Sequence, residues 1–312
     1  MTKRTIAYDT ILCFTLFLCV SCGEKEDAGT MEEYRVNDTI MVDGRIRSYT
    51  LNLPPGYYNS SEFALVIAMH GGGGSAGQFE SSSKLSEKAD AAHFIVVYPE
   101  GVQSTGPLKA RTWNAGSCCD YASENNIDDV MFISRLIDKL VLQYKINPKK
   151  IYATGHSNGG LMAYRLACEL SGKIAAIAVN ACSMVVTQPC NPLRPVPVLH
   201  MHAVPDTHVP YQGGKGTGLS NAYFPPVDSV LNVWSVINGC ALPPETKAVE
   251  GKYIFTQWMD CDNKVTVQYY LTQDGGHAWP GGLLGRTGSD APSTVINAND
   301  LLWSFFQQYQ LP

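Results

Sequence analysis

Gly155-His156-Ser157-Asn158-Gly159 stands between the β-branched run "KKIYAT" and "LMAYRLACEL", whose apolar residues fall three and four apart. A serine between glycines at a strand-to-helix junction fits the G-x-S-x-G nucleophile elbow. Small neighbours allow a turn sharp enough to hold the serine strained, with its hydroxyl exposed. The helix that starts there points free amide hydrogens at any oxyanion forming on a bound carbonyl. Serine alone is a weak nucleophile, so the chemistry also needs a histidine base and an acid that orients it. A serine so equipped performs acyl transfer.

Elbow serines are followed along the chain first by the acid and then by the histidine. Of the seven histidines, only His208 and His277 follow an acid lying beyond the elbow helix. His208 is two residues past Asp206, too close to be a separate arm. His277 lies in "DGGHAWPGG", directly after a predicted strand at 264–273. Asp206 follows the run "PVPVLHMH" in the loop "AVPDTHVPY", at the carboxyl edge where α/β sheets gather their site groups. Asp274 shares the loop of His277 and is the rival acid. "MHGGGG" (69–74) follows a buried run, and residues without side chains let backbone amides approach a substrate oxygen. The amides of Gly72 and Asn158 are therefore the expected oxyanion donors.

These groups must be positioned by a sheet. "DTIMVDGRIRSYTLNLP" (38–54) alternates about Asp43-Gly44, the signature of a hairpin. "FALVIAMH" (63–70), "FIVVYP" (94–99), "KIYATG" (150–155), "IAAIAVNA" (174–181) and "PVPVLHMH" (195–202) read as strands covered on both faces. Between 94–99 and 150–155, Val130, Ile133, Leu136, Ile137, Leu140 and Val141 form a helical stripe. Further helices are expected over 225–238 and 297–309. The alternation predicts an α/β fold with a mostly parallel, doubly wound sheet in a single domain. Only residues 182–194 separate the strand after the elbow helix from the strand bearing Asp206, so no large lid is expected there and the cleft should be open.

The chain has 312 residues and a net charge of −5, with no dense Lys/Arg run. Phosphate binding needs concentrated positive charge, so a nucleic-acid partner is excluded. Lys3 and Arg4 precede an apolar run from Ile11 to Val20, which reads as a secretory signal over residues 1–22. Ser21-Cys22 resembles a bacterial lipoprotein processing site, with Cys22 lipidated; a plain signal peptide cut nearby is the alternative. Residues 23–34 read as a flexible tether and 35–312 as the functional domain. The protein is expected to be exported, as an outer-membrane lipoprotein or an extracellular protein, touching membrane only through its lipid. Export suits Cys118, Cys119, Cys168, Cys182, Cys190, Cys240 and Cys261 as disulfide candidates. The expected pairs are Cys240–Cys261, Cys182–Cys190, and Cys168 with one of the vicinal cysteines. No CxxC pair or HExxH supports a metal site.

"LVIAMHGGGG", "RTWNAGSCCDYA", "IDDVMFISRLID", "IYATGHSNGGLMAYRLACEL", "PVPVLHMHAVPDTHVPYQGG" and "GGHAWPGG" together resemble secreted esterases of the polyhydroxybutyrate-depolymerase/feruloyl-esterase group, allied to carbohydrate esterase family 1. The resemblance runs from about residue 45 to the C-terminus. It implies an α/β-hydrolase fold, a Ser157–Asp206–His277 triad, no cofactor, and an ester-bearing polysaccharide or polyester as substrate. Ala203 departs from it, standing where that group has glycine. Trp113, with Asn114, either borders the acyl pocket or belongs to a disulfide-pinned loop. Trp279 either stacks on an aromatic acyl group or packs its own loop. Tyr211 is a further candidate for substrate contact. His70, His200 and His202 are expected to satisfy local hydrogen bonds. The leading function is a serine carboxylesterase acting on feruloyl or acetyl esters of plant polysaccharide. Polyester depolymerisation, peptide hydrolysis and a catalytically dead glycan binder are the alternatives.

Overall fold

The alternating segment at the start of the domain folds as the hairpin β1 (Arg35–Val42) and β2 (Arg45–Asn52). Asp43 and Gly44 both take positive φ, the primed turn that matches strand twist. The apolar runs then form β3 (Phe63–Met69), β4 (Ile95–Pro99), β5 (Ile146–His156), β6 (Ala176–Asn180) and β7 (Val198–Ala203). A second hairpin, β8 (Glu245–Val249) and β9 (Tyr253–Trp258), leads to β10 (Val267–Thr272). The ten strands form one sheet in the order β1-β2-β4-β3-β5-β6-β7-β10-β9-β8. The six strands from β4 to β10 run parallel, and antiparallel hairpins close both edges.

The computed structural model describes residues 1–2, 33–218, 220, 222–286 and 288–312. All but residues 1–2 of the expected signal, the lipidation site Cys22 and all but residues 33–34 of the tether lie outside the described residues. No helix among the described residues is long and apolar enough to cross a membrane.

Helices cover both faces of the sheet, which is why its central strands are apolar without alternation. One core layer gathers α4 (Asp129–Gln143), α5 (Asn158–Glu169) and α6 (Val227–Ile237) against residues such as Leu65, Ile67, Ile177 and Val198. The opposite layer holds α1 (Ala76–Ser83), α2 (Leu85–Ala92) and α7 (Ala298–Phe306) over Val66, Val96, Ala178 and Leu199. A short helix, α3 (Asp120–Glu124), follows the vicinal cysteines. The stripe from Val130 to Val141 is the inner side of α4, whose Asp128 caps the helix by accepting from the Met131 amide.

The disulfides differ from expectation at two of three pairs. Cys240 bridges Cys261, but Cys190 pairs with Cys168, and Cys118 pairs with Cys119. Cys168 sits in the last turn of α5, where the returning loop brings Cys190 to a Cα separation of 4.9 Å. Cys182 stays a free, buried thiol. It leaves β6 pointing inward, so a Cβ built on Gly160 would lie 2.7 Å from its Sγ. The loop 182–194 is thus pinned to the back of the elbow helix, where Val185 packs into the core, and the fold carries no large lid between β6 and β7.

Candidate active site

Ser157 follows the end of β5 with φ 54° and ψ −123°, a backbone region that L-residues avoid and that the surrounding packing must enforce. Its amide donates to the Asn180 carbonyl (2.9 Å), and its carbonyl accepts from Leu161 as the first turn of α5 closes. The flanking glycines are there for space. A Cβ on Gly155 would stand 2.4 Å from the Gly159 carbonyl group, and one on Gly159 only 2.2 Å from Met69 O. The elbow is therefore pressed onto β3 with backbone against backbone.

The residues chosen from the sequence converge here. Ser157 Oγ lies 2.8 Å from His277 Nε2, and His277 Nδ1 lies 2.8 Å from Asp206 Oδ2. Asp206 sits three residues beyond β7, His277 in the loop after β10, and these two strands are paired neighbours. Oδ1 of Asp206 accepts the amides of His208 (2.9 Å) and Val209 (3.0 Å). Burial pushes the Asp206 carboxyl up, but the hydrogen bond and charge of His277, with lesser help from His202 and Val209, outweigh it and hold the group below its ordinary value. It is thus an anion at neutral pH, able to stabilise an imidazolium. Asp274, the rival acid, accepts instead from Ser293 and Thr294 and ties down that loop. Ala203 closes β7 without disturbing the hydrogen bonds of Asp206.

Gly72 and Asn158 face one another: a Cβ on Gly72 would meet Asn158 Cβ at 3.7 Å. Gly73 and Gly74 donate their amides to the carbonyls of Arg111 and Gly71. No group among the described residues accepts the Gly72 amide, and the Asn158 amide is among the orphan donors of the first turn of α5. These two amides are free to serve a ligand. His70 fixes the loop from beneath. Its Nδ1–H donates to Gly71 O (2.8 Å) and its Nε2 accepts from the Gly101 amide (3.0 Å), an arrangement open only to the neutral ring.

Trp113 does not border the acyl pocket. It is fully buried beneath the site, its indole N–H donating to His70 O (2.9 Å). Its amide and carbonyl are clasped by the Asn158 side chain at 2.8 and 3.0 Å. Trp113 thereby links the elbow to the glycine loop, and Asn114 likewise faces inward, onto Asp129 and Ile127. Tyr211 also lies away from the cleft, half-buried against the core with its hydroxyl accepting from Gln212. Trp279 does line the cleft. It packs edge-on against Phe79 (5.2 Å) and donates its indole N–H to Asn299, so one ring both shapes the wall and holds its loop.

The cleft has a volume of about 580 Å³. Phe79, Trp279, Leu161, Phe224 and Leu283 give it apolar walls, while Asp120, Ser220, Asp290 and Arg286 bring polar groups. Several of its residues carry no signal in the sequence. Asp290 accepts the His277 amide (2.7 Å) from a loop without periodicity. His156 and His208 flank the His277 ring at centroid distances of 4.7 and 4.8 Å. Burial, then the neighbouring His277, holds His156 well below the ordinary histidine range, and its Nδ1 accepts from the Asn180 amide. Asp206, His208 and His277 bring potential ligand atoms within 4.8 Å of one another. The two rings are stacked at 24°, however, so their in-plane lone pairs do not converge on a common ion.

The family model for the esterase polyhydroxybutyrate depolymerases matches residues 47–192. Feruloyl esterase B of Piromyces equi is 29% identical over 272 residues, which is 85% of this chain and 46% of that protein. The chain thus spans about half the length of that relative. Feruloyl esterase C of Emericella nidulans is 25% identical over 311 residues, covering 97% of this chain and 98% of the relative. Among solved structures, the acetyl xylan esterase from Aspergillus awamori superposes with a TM-score of 0.62 at 16% identity, over 88% of this chain and 98% of its own, which speaks for the shared fold. The topology is that of an α/β-hydrolase, and the family-model match and the relatives agree that the chain is similar to the polyhydroxybutyrate-depolymerase/feruloyl-esterase group.

Proposed function

We propose that this protein is an exported serine esterase that removes feruloyl or acetyl groups from plant polysaccharide through an acyl-enzyme. The observation that carries the reading is the line of two 2.8 Å contacts from Ser157 Oγ through His277 to Asp206, set at a strained elbow serine. His277 Nε2 takes the hydroxyl proton as Oγ attacks the ester carbonyl, and Asp206 stabilises the imidazolium. The oxyanion receives the amides of Gly72 and Asn158, which together lower the barrier by several kcal/mol, roughly 3 for one such donor. The imidazolium protonates the departing alcohol. Water then enters at the carbonyl and gives its proton to His277, which returns it to Ser157 Oγ as the bond to the acid breaks.

The apolar wall of Phe79, Trp279 and Leu283 suits an aromatic acyl group, and Asp120, Ser220 and Asp290 offer partners for sugar hydroxyls. The names of the relatives point the same way. The test is release of ferulate and acetate from arabinoxylan, beside monomer release from polyhydroxybutyrate, by the full chain and its Ser157→Ala variant. Acid release from the polysaccharide that vanishes in the variant is the expected result. Hydrolysis undiminished in the variant would refute the triad, and release from the polyester alone would replace the substrate.

A further inference from the structure

Behind Asp206 lies a file of polar groups that the ester-hydrolase reading leaves unused. β7 carries His200 and His202, two residues apart and so on one face of the sheet. The file starts at Tyr164 of α5, whose hydroxyl lies 2.8 Å from His200 Nδ1. His200 Nε2 is 3.1 Å from His202 Nδ1, and His202 Nε2 is 2.7 Å from Val209 O and 3.4 Å from Asp206 Oδ2. Tyr164 and His200 are fully buried, and His202 and Asp206 are 1% and 3% exposed.

The proton positions follow from one fixed end. A carbonyl can only accept, so His202 Nε2 carries the hydrogen and a neutral His202 offers its Nδ1 lone pair. His200 must then donate from Nε2, which leaves its Nδ1 to accept the Tyr164 hydroxyl. Every polar atom of the two rings is satisfied with both rings neutral. Burial favours the same state, holding His200 well below the ordinary histidine range and lowering His202 as well. All three dipoles point the same way, with the positive end of the last N–H between Val209 O and the carboxylate. Val209 also donates its amide to Oδ1, so this one residue ties both the loop and the acid to the file.

We propose that Tyr164, His200 and His202 form a one-directional chain of neutral hydrogen bonds that fixes the aim and the charge of Asp206 toward His277, making them positioning residues for the triad. The inference rests on the ester-hydrolase reading of Ser157, Asp206 and His277. Other titratable groups face this region. His156 and Cys182 come from the ends of β5 and β6, His208 and Asp290 from the loops beside His277, and Tyr269 of β10 stands edge-on to His200, with Tyr211 and Asp228 beyond it.

The first experiment needs no substrate. Nitrogen-15 spectra of histidine-labelled full-length protein should show His200 and His202 as neutral Nε2–H tautomers throughout the active pH range. A charged ring or an Nδ1–H tautomer at either position would overturn the chain, whether or not the protein hydrolyses esters. The second experiment compares His202→Leu with His202→Gln, whose amide can still donate to Val209 O. Loss of the donor leaves Asp206 the stronger base and so favours the imidazolium. In folded His202→Leu the acid limb of kcat/KM should rise by about half a pH unit. Its kcat should fall about tenfold through the loosened carboxylate, with KM little changed. His202→Gln should restore most of both. An unmoved limb in folded His202→Leu, or a glutamine variant no better than the leucine one, would refute the positioning role. A wild type inactive on every ester while the tautomers appear as assigned would instead refute the functional reading.

Discussion

Gly159→Ala tests whether the elbow works by backbone contact. The added methyl would lie 2.2 Å from Met69 O and 2.6 Å from His70 O, about 1 Å inside the ordinary contact that begins at 3.4 Å. Both obstacles are backbone at the end of β3, so neither can swing aside as a side chain would. The helix and the glycine loop must part by about 1 Å, and overpacking of this kind costs about 1–3 kcal/mol of stability. The two candidate oxyanion amides belong to the two bodies being separated, Asn158 on the helix and Gly72 on the loop. The Trp113 indole, which donates to His70 O, is displaced with them. A misplacement of about 1 Å at reacting groups costs on the order of 10²-fold. The measurement is steady-state hydrolysis of a 4-nitrophenyl ester, with circular dichroism to show that the variant folds. Gly77→Ala is the control: it lies in α1 with nothing within 4 Å of the added methyl, and should keep full activity while gaining up to about 1 kcal/mol. A folded Gly159→Ala with kcat/KM within about threefold of wild type, under 1 kcal/mol in barrier, would refute the argument.

Cys182 is buried and its thiol is pushed well above the ordinary value, chiefly by burial and then by Asp206. It should resist thiol reagents in the native protein and react at once in denaturant; native labelling would show that the elbow helix opens. Arg47 is 5% exposed and pairs with fully buried Asp129 at 2.8 Å, its guanidinium over Phe132 at 4.0 Å. Arg47→Met should cost about 3–5 kcal/mol by stranding that carboxylate, and adding Asp129→Asn should recover part of the loss in urea unfolding. His70 gives a dependence on pH. Burial, its largest cause, lowers its pKa from 6.5 to about 4, so between these values the unfolded chain binds a proton that the folded chain does not. Its contribution is fully present above pH 6.5 and is lost as pH falls toward 4, about 3 kcal/mol in all. His70→Asn, which keeps a donor toward Gly71, should flatten that part of the stability profile; an unchanged slope would refute the assignment.

What could be read from the sequence, and what could not, divides along a physical line. Ser157, His277 and Asp206 were legible as candidates because each follows a strand, and the carboxyl edge of a parallel sheet delivers all three to one place whatever their side chains do next. Gly72 and Asn158 were legible for the same reason, since their amides belong to the backbone that forms the edge. Side-chain direction is another matter. The sequence leaves Trp113 open between the acyl pocket and a pinned loop and offers Tyr211 for substrate contact; Trp113 is buried beneath the site and Tyr211 lies away from the cleft, because only packing decides which way a loop residue turns. The disulfides fail similarly: the pairing of Cys168 with Cys190 depends on where a loop recrosses a helix, and the isolation of Cys182 on a thiol filling the space beside Gly160. The Tyr164–His200–His202 file needs both strand parity and the approach of α5, so in the sequence its two histidines read only as locally satisfied and Tyr164 carries no signal. That reading also fits what each residue does locally, and it is incomplete because satisfaction here has a direction. The Val209 carbonyl, by accepting alone, fixes which nitrogen of each ring holds a proton, and the resulting polarity ends at the carboxylate on which His277 depends.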